Sequence, residues 1–350
     1  MTNSKLLAMR VPLRLSSVVA MLQSLLLVQA PADTLSTFDS NLPLLLIETL
    51  GPSVPANERI MARFSLAEPR GNRASPASPP RFLGSGPIWV RGASSRSYAK
   101  KPYRFEFQDD SGRDRKVSML GLPAGSDWIL YASVTDRTFI RDALAYELWR
   151  EMGHYAPRTR YVEVFTNDIL GRVEERDYAG LYVLMEKVKR SSSRVHLQKL
   201  TAADSDEPEI GGGYIIKKDR YRPGDKGFLT TRGVPFLFDE PHSRDLTTAQ
   251  ERWLTNHVNE LERCLLGENF RDPTNGYARY IDVDSFVDYH WMVGRIYYTL
   301  DGSDPRLRGG EPSLASREAT NTLTCRFPAV LTARVRSEYN LWSAPLFVHP

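Results

Sequence analysis

Apolar positions first recur with a period of two, and only later with the period of a helix. Leu42 to Glu48 is a continuous apolar run, the pattern of a buried strand. Ile88 to Arg91 reads as a short strand. Tyr103, Phe105 and Phe107 then alternate with Arg104 and Glu106, which gives one apolar and one charged face. Asp109, Asp110, Ser111 and Gly112 supply turn chemistry. From about Arg137 the period changes. Ile140, Leu144, Leu148 and Met152 recur at helical spacing, and Gly153 stands where a C-cap glycine belongs. Tyr161 to Phe165 alternates again, and Leu181 to Met185 is almost wholly apolar, as in a central strand. Thr247 with Gln250 makes a capping box, after which Leu254, Val258, Leu261 and Leu265 fall on one helical face. Asp282 and Asp284 are placed to cap a helix starting near Ser285. Trp128 and Trp149 are expected in the core. Strands come mostly first and helices later, which predicts an α+β fold.

Composition changes this picture little. A chain of 350 residues allows about two domains and an ample core. The net charge of +4 is mild and its cations are spread out, so nucleic acid is not the expected partner. No run of about twenty apolar residues predicts a span in the mature chain. Cys264 and Cys325 lack metal-ligand spacing and read as buried thiols. Lys5, Arg10 and Arg14 precede the mostly apolar stretch Val18 to Val28, and Val28-Gln29-Ala30 offers a cleavage point. Residues 1–30 are therefore expected to be a signal peptide, and the protein secreted, periplasmic or on the cell surface. Pro, Ser, Ala and Gly between Arg70 and Pro80 mark a loop.

The densest chemistry lies between the second and third strand runs. Arg91, Arg96, Lys100 and Lys101, with the hydroxyls of Ser94, Ser95 and Ser97, lead directly into the alternating Tyr103 run. Such an arrangement suits an anionic ligand, most simply a phosphate, held beside a sheet; the alternative is a basic edge strand behind a solvated loop. Glu186 ends the apolar strand, where it is expected to pair with Lys101, or else with Lys187 or solvent. Lys217 and Asp219 follow Gly211-Gly212-Gly213, a run that lacks Walker spacing and reads as a loop into a strand. Asp127 and Asp136 read as local structure, and Asp301 and Asp304 as turn formers. Asp282, Asp284 and Asp288 do not share one helical face. The six histidines form no metal-ligand pattern. No metal site is expected, and Ser94 and Ser95 have no histidine nearby for a hydrolase triad.

Several ordered segments carry a family resemblance. They are Asn41 to Thr49, Arg91 to Glu106, Leu120 to Pro123, Ser126 to Tyr131, Asp136-Arg137, Tyr155 to Arg158, Tyr161 to Asn167, Gly180 to Lys187, Gly212 to Lys217 and Tyr280 to Tyr289. Over roughly residues 40 to 292 the chain resembles the spore coat protein H-like (CotH) kinase family, secreted atypical kinases with a protein-kinase-like fold. The resemblance implies ATP and magnesium as cofactors and serine- or threonine-rich proteins as substrates. It makes Lys101 the phosphate lysine, with Arg91, Arg96, Lys100, Glu186 and Lys217 as further candidates for nucleotide binding.

The resemblance also shows what is absent. In the family an Asn-x-Asp element and then a Trp-Asp-x-Asp element follow the segment resembling Asp288 to Trp291, and these supply the catalytic and metal carboxylates. Neither follows here. After Met292 the chain passes to Arg295 to Arg306, which resembles an interior piece of the chitobiase C-terminal-like β-sandwich, with Tyr298 to Pro305 as its signature hairpin and Leu331 to Arg336 and Leu341 to Pro345 as last strands. One internal deletion near 292–294 accounts for both truncations. The expected organisation is a signal peptide over 1–30, an incomplete kinase-like domain over 31–292 (sheet-rich, then helical) and a truncated all-β sandwich fragment over 293–350. Both remnants should expose apolar surface and strand edges. No catalytic residue is assigned, and the chain is expected to be a CotH-type kinase homologue that does not transfer phosphate. The alternative is a non-catalytic surface protein that binds an extracellular polymer.

Overall fold

The computed structural model describes residues 38–348 except 50, 52, 169–172, 223, 269, 271, 273, 293–294, 309, 319–330 and 337–345. The expected signal peptide, Cys325 and Leu341 to Pro345 lie outside the described residues.

Seven strands close into a barrel: β1 (Leu44–Glu48), β2 (Ile60–Ala67), β3 (Phe82–Val90), β4 (Tyr103–Glu106), β5 (Asp127–Tyr131), β6 (Thr159–Asn167) and β7 (Tyr178–Glu186). The order around the wall is β1-β2-β3-β4-β5-β7-β6. Each neighbouring pair is antiparallel except β1 and β6, whose parallel pairing from Leu44–Glu163 to Glu48–Asn167 closes the ring. Leu45, Ile47, Phe64, Ile88, Phe105, Trp128, Val162, Val164, Tyr182 and Leu184 fill its interior. Phe64 stacks on Phe105 with centroids 4.6 Å apart. The period-two pattern thus has a direct cause: alternate side chains enter the barrel, and the others form its outer wall. The apolar runs Leu42 to Glu48 and Leu181 to Met185 supply β1 and β7, as expected.

Helix α1 (Arg141–Glu151) sits between β5 and β6 in sequence. Its entry is organised by Asp136, which accepts hydrogen bonds from the backbone N–H groups of Thr138 and Arg141, so Asp136 is local structure as expected. Gly153 has φ +90°, the left-handed conformation that ends a helix at low cost. Trp128 is fully buried, whereas Trp149 is only partly buried and stacks on His154 at 4.1 Å.

Beyond the barrel, β8 (Ile215–Lys218), β9 (Gly227–Leu229) and β10 (Pro235–Glu240) make a small sheet with β10 central. Gly213, at φ +88°, lets the chain pass close to the Gln198 carbonyl on the way into β8. Helix α2 (Thr248–Leu265) carries the expected capping box. Its apolar stripe is only partly used: Leu254 and Cys264 are buried, but Leu265 is exposed. Helix α3 (Val283–Met292) is capped by Asp282, which accepts from the Ser285 N–H. His154 Nε2 lies 2.7 Å from Asp288 Oδ2 and joins α3 to the end of α1. Phe286 and Tyr289 of α3 are about half exposed.

The last described strands are β11 (Arg295–Thr299), β12 (Arg317–Glu318), β13 (Leu331–Arg336) and β14 (Leu346–Val348), in the order β12-β11-β13-β14. Tyr298 to Pro305 does not close a two-stranded hairpin, because β11 pairs with β12 and β13, both well downstream. Asp301 forms the expected turn by accepting from Ser303 N–H. Asp304 does more than that, since it also accepts from Arg334 Nη2 at 2.7 Å. No described helix is long and apolar enough to cross a membrane.

Candidate functional site

The outer wall of the barrel over β3, β4 and β5 concentrates charge because of the register there. Ile88 faces Phe105 and Phe105 faces Trp128, all directed inward. The intervening pairs are therefore outward: Trp89 opposite Arg104, and Glu106 opposite Asp127. Arg59, just before β2, reaches the same face. Its guanidinium lies 4.1 Å from the Trp89 ring centroid, and that of Arg104 lies 5.0 Å away.

Two cavities meet at this wall and share Arg59 and Arg104. One, of about 360 Å³, is lined by Arg59, Trp89, Arg91, Gly92, Arg96 and Arg104, with Glu58 the single carboxylate among the described residues. Gly92, at φ +93°, turns the chain out of β3, and a Cβ there would run into the Ser95 hydroxyl. The loop that follows returns Arg96 to the cavity, where its Nη2 donates to the Ala56 carbonyl and, at 2.8 Å, to Asn57 Oδ1. The Arg91 side chain makes no hydrogen bond or ion pair with the described residues, and burial lowers its pKa from the ordinary value. A guanidinium nonetheless stays protonated in a protein. The buried Nε–H of Arg104 also lacks an acceptor.

The other cavity, of about 960 Å³, is lined by residues of both signs, among them Arg104, Glu106, Asp127, Lys187, Lys189 and Glu240. Here the charges are matched. Asp127 accepts from Arg104 and Lys189, Glu106 accepts from Arg104 at 2.8 Å, and Arg190 sits 3.3 Å from Glu240. Burial works against the charged form of Asp127, but hydrogen bonds and charge from Lys189 and Arg104 hold its carboxyl well below the usual range. Burial pushes Glu106 the other way, upward, opposed by Arg104 and reinforced by Asp127. The reading of Asp127 as local structure is therefore corrected: it is a buried strand residue at the centre of an ion network.

The basic residues expected to act together divide into three groups. Arg91 and Arg96 face the smaller cavity. Lys101 stands behind them, its ammonium donating to the Arg96 carbonyl at 2.8 Å, so it props the loop. Lys100 turns away. Its ammonium lies 4.6 Å from the Phe139 ring and 4.4 Å from the Tyr182 ring and donates to the Leu181 carbonyl; burial lowers its pKa to about 8. The Lys101–Glu186 pair does not form. Glu186 is fully buried, accepts from the Arg158 N–H at 2.9 Å and from Arg158 Nη1 at 3.1 Å, and lies 3.7 Å from Arg194. Arg158 and Arg194 satisfy that carboxylate, which leaves neither Lys187 nor solvent as its partner. Lys217 belongs to the small sheet, 3.1 Å from Asp239 on β10, and Asp219 accepts from the Arg220 N–H.

Arg59, Trp89, Arg104 and Asp127 were not recognised as site residues from the sequence. The only available signal was the alternation that puts Trp89, Arg104 and Glu106 on an outer face; their convergence depends on strand register.

The sequence pattern that defines the family described as CotH kinase protein matches residues 88–300, which is 213 of 350. The chain belongs to the CotH kinase family. The match takes in both Arg91 and Arg96 as well as β4 to β10, and it ends beyond Met292, at the end of β11. A comparison with curated proteins finds no match.

Proposed function

We propose that this CotH-family chain holds the triphosphate of ATP in the arginine-lined cavity and does not transfer its γ-phosphoryl group. One observation carries the reading: among the described residues, four guanidiniums and a single carboxylate line a cavity of about 360 Å³. Guanidinium presents paired N–H donors that match phosphate oxygens, and a cavity with unmatched positive charge lowers the free energy of a bound polyanion. The barrel then serves as the nucleotide-holding half of a kinase-like fold.

Magnesium, where a kinase holds it, bridges the phosphates and neutralises charge as it develops. The residues present do not fit that ion. Asp282 is engaged at the start of α3, Asp288 with His154, and Asp127 with Arg104 and Lys189. Among the described residues no group of three or more His, Cys, Asp or Glu is arranged to hold a metal. Binding without groups that act selectively on the transition state does not raise the rate of the chemical step.

Calorimetry with ATP on the full chain tests the binding. Arg91→Ala should weaken it by more than about tenfold, as expected for a charge-assisted contact. No heat from either protein would end the phosphate reading. Labelled ATP with magnesium or manganese and a serine-rich acceptor tests transfer, with an intact family member as positive control. Robust incorporation that disappears in Arg91→Ala would overturn the claim of inactivity.

The sheet from β11 to β14 is proposed to be the remnant of a chitobiase C-terminal-like sandwich, joined to the kinase-like part by an internal deletion. Sequencing the genomic locus across codons 285 to 300 tests this. Export is proposed as well, and mass spectrometry of secreted material that still begins at Met1 would refute cleavage.

A further inference from the structure

We infer that Lys101 sets the affinity of the arginine-lined cavity for oligophosphate without touching the ligand, by fixing the residue that carries the Arg96 guanidinium. The inference rests on the phosphate reading of that cavity and concerns how it is kept in binding geometry. Lys101 lines neither cavity. Its ammonium instead donates at 2.8 Å to the Arg96 carbonyl, and so ties the end of the loop to its middle. The Lys101 carbonyl in turn accepts at 3.0 Å from the hydroxyl of Tyr182, whose ring is fully buried in the barrel. A continuous set of contacts thus runs from the barrel interior through Lys101 to the backbone of Arg96.

Arg96 is held at both ends. Lys101 fixes its backbone, while Asn57 and the Ala56 carbonyl hold its guanidinium at the rim. Both rim contacts use Nη2, which leaves Nε and Nη1 for phosphate oxygens. Ser97 adds a local brace, its hydroxyl donating to the Ser94 carbonyl at 2.7 Å. Arg91 is placed differently. Its N–H donates to the Pro102 carbonyl at 3.0 Å and continues the ladder between β3 and β4, so the sheet positions it and the loop does not. Ordering a long cationic side chain during binding weakens affinity, and a side chain already in place avoids that cost. Lys101 is therefore a positioning residue for Arg96, where the resemblance makes it a direct phosphate ligand.

Titration calorimetry on the full chain with ATP and with sodium tripolyphosphate, run as two double-mutant cycles, tests this. Lys101→Met should weaken both anions by about three- to tenfold, as expected for a lost preorganising contact. Arg96→Ala should weaken them by about tenfold. Adding Lys101→Met to Arg96→Ala should then cost less than about twofold more, because the side chain it positions is gone. Added to Arg91→Ala, the same change should keep its full effect. Lys101→Arg keeps a cationic donor for the carbonyl and should bind within about threefold of the parent. In the free protein, hydrogen exchange should quicken over residues 93–100 of Lys101→Met and stay unchanged in β3. Losses that multiply on the Arg96→Ala background would make Lys101 a direct ligand and overturn the inference, as would parent-like binding by Lys101→Met or a loss in Lys101→Arg as large as in Lys101→Met. Faster exchange throughout the barrel, or an effect that vanishes on the Arg91→Ala background too, would replace positioning by general loosening. In each of these cases a weakened Arg91→Ala would still uphold the phosphate reading. Silence of the parent toward both anions would overturn both.

Discussion

The two cavities on the barrel wall share Arg59 and Arg104, yet their charge is organised in opposite ways. On one side acids and bases are matched: Asp127 is engaged by Arg104 and Lys189, and Arg190 by Glu240. On the other, four arginines and one carboxylate line the cavity among the described residues; Arg59 and Arg104 also lie against Glu106, and Arg91 has no carboxylate in contact. Matched charge that is buried becomes part of the fold, because its removal strands a partner. Unmatched charge adds nothing to the fold and remains available to a ligand. Arg104 belongs to both regimes, since one nitrogen is bound to carboxylates and its Nε–H has no acceptor.

The largest effect should come from breaking the matched side. Asp127→Ala leaves Arg104 and Lys189 without their carboxylate, and we expect a loss of about 3–5 kcal/mol in urea unfolding, the usual range for removing one partner of a buried pair. A loss below about 1 kcal/mol would mean that the network is relaxed by water. On the unmatched side the signature reverses. Arg91→Ala should leave the unfolding free energy within about 0.5 kcal/mol of the parent or raise it, while oligophosphate affinity falls about tenfold. If Arg91→Ala destabilised the protein as much as Asp127→Ala, the contrast between the cavities would fail.

Two pH experiments sharpen the comparison with smaller effects. The carboxyl of Asp127 is held below its ordinary value, so the unfolded chain takes up its proton first. Stability should be fully present above about pH 4 and fall progressively below it; Asp127→Asn should flatten that fall. Lys100 differs in sign. Its pKa is lowered to about 8, so above that pH the unfolded state holds more protons than the folded one. Stability should therefore rise with alkalinity above about pH 8, and the rise should be missing in Lys100→Met. The urea midpoint at pH 7.5 and 9.5 in both proteins measures it. An identical slope in the variant would assign the rise to another group.

Local elements were legible in the sequence where one physical signal decided them. The Thr247–Gln250 capping box, the Gly153 helix stop and the inward alternation of Phe105 and Phe107 all appear as expected. Part of the arginine-lined cavity was legible too, because Arg91 and Arg96 sit in one basic loop. What could not be read was the direction each cation takes. Lys100 and Lys101 are adjacent, yet one is buried between two rings while the other supports a carbonyl. Arg59 and Arg104, forty-five residues apart, meet on Trp89 only because β2, β3 and β4 are in register. Glu186 was assigned the wrong cation for a related reason: Arg158 and Arg194 approach it from segments whose position depends on the whole barrel.

The parallel closure of β1 on β6 has a consequence for the order of assembly. Leu44 must find Glu163, and no shorter connection completes the ring. Loop closure over such a separation is entropically unfavourable and slow, so this step should come late. During synthesis β1 emerges first and then has to wait, an apolar strand with one edge unclaimed, until β6 has been made. A chain shortened through Glu48 would never complete the circle. It would keep β2 and β6 as two permanent sheet edges, each a template for pairing with another molecule.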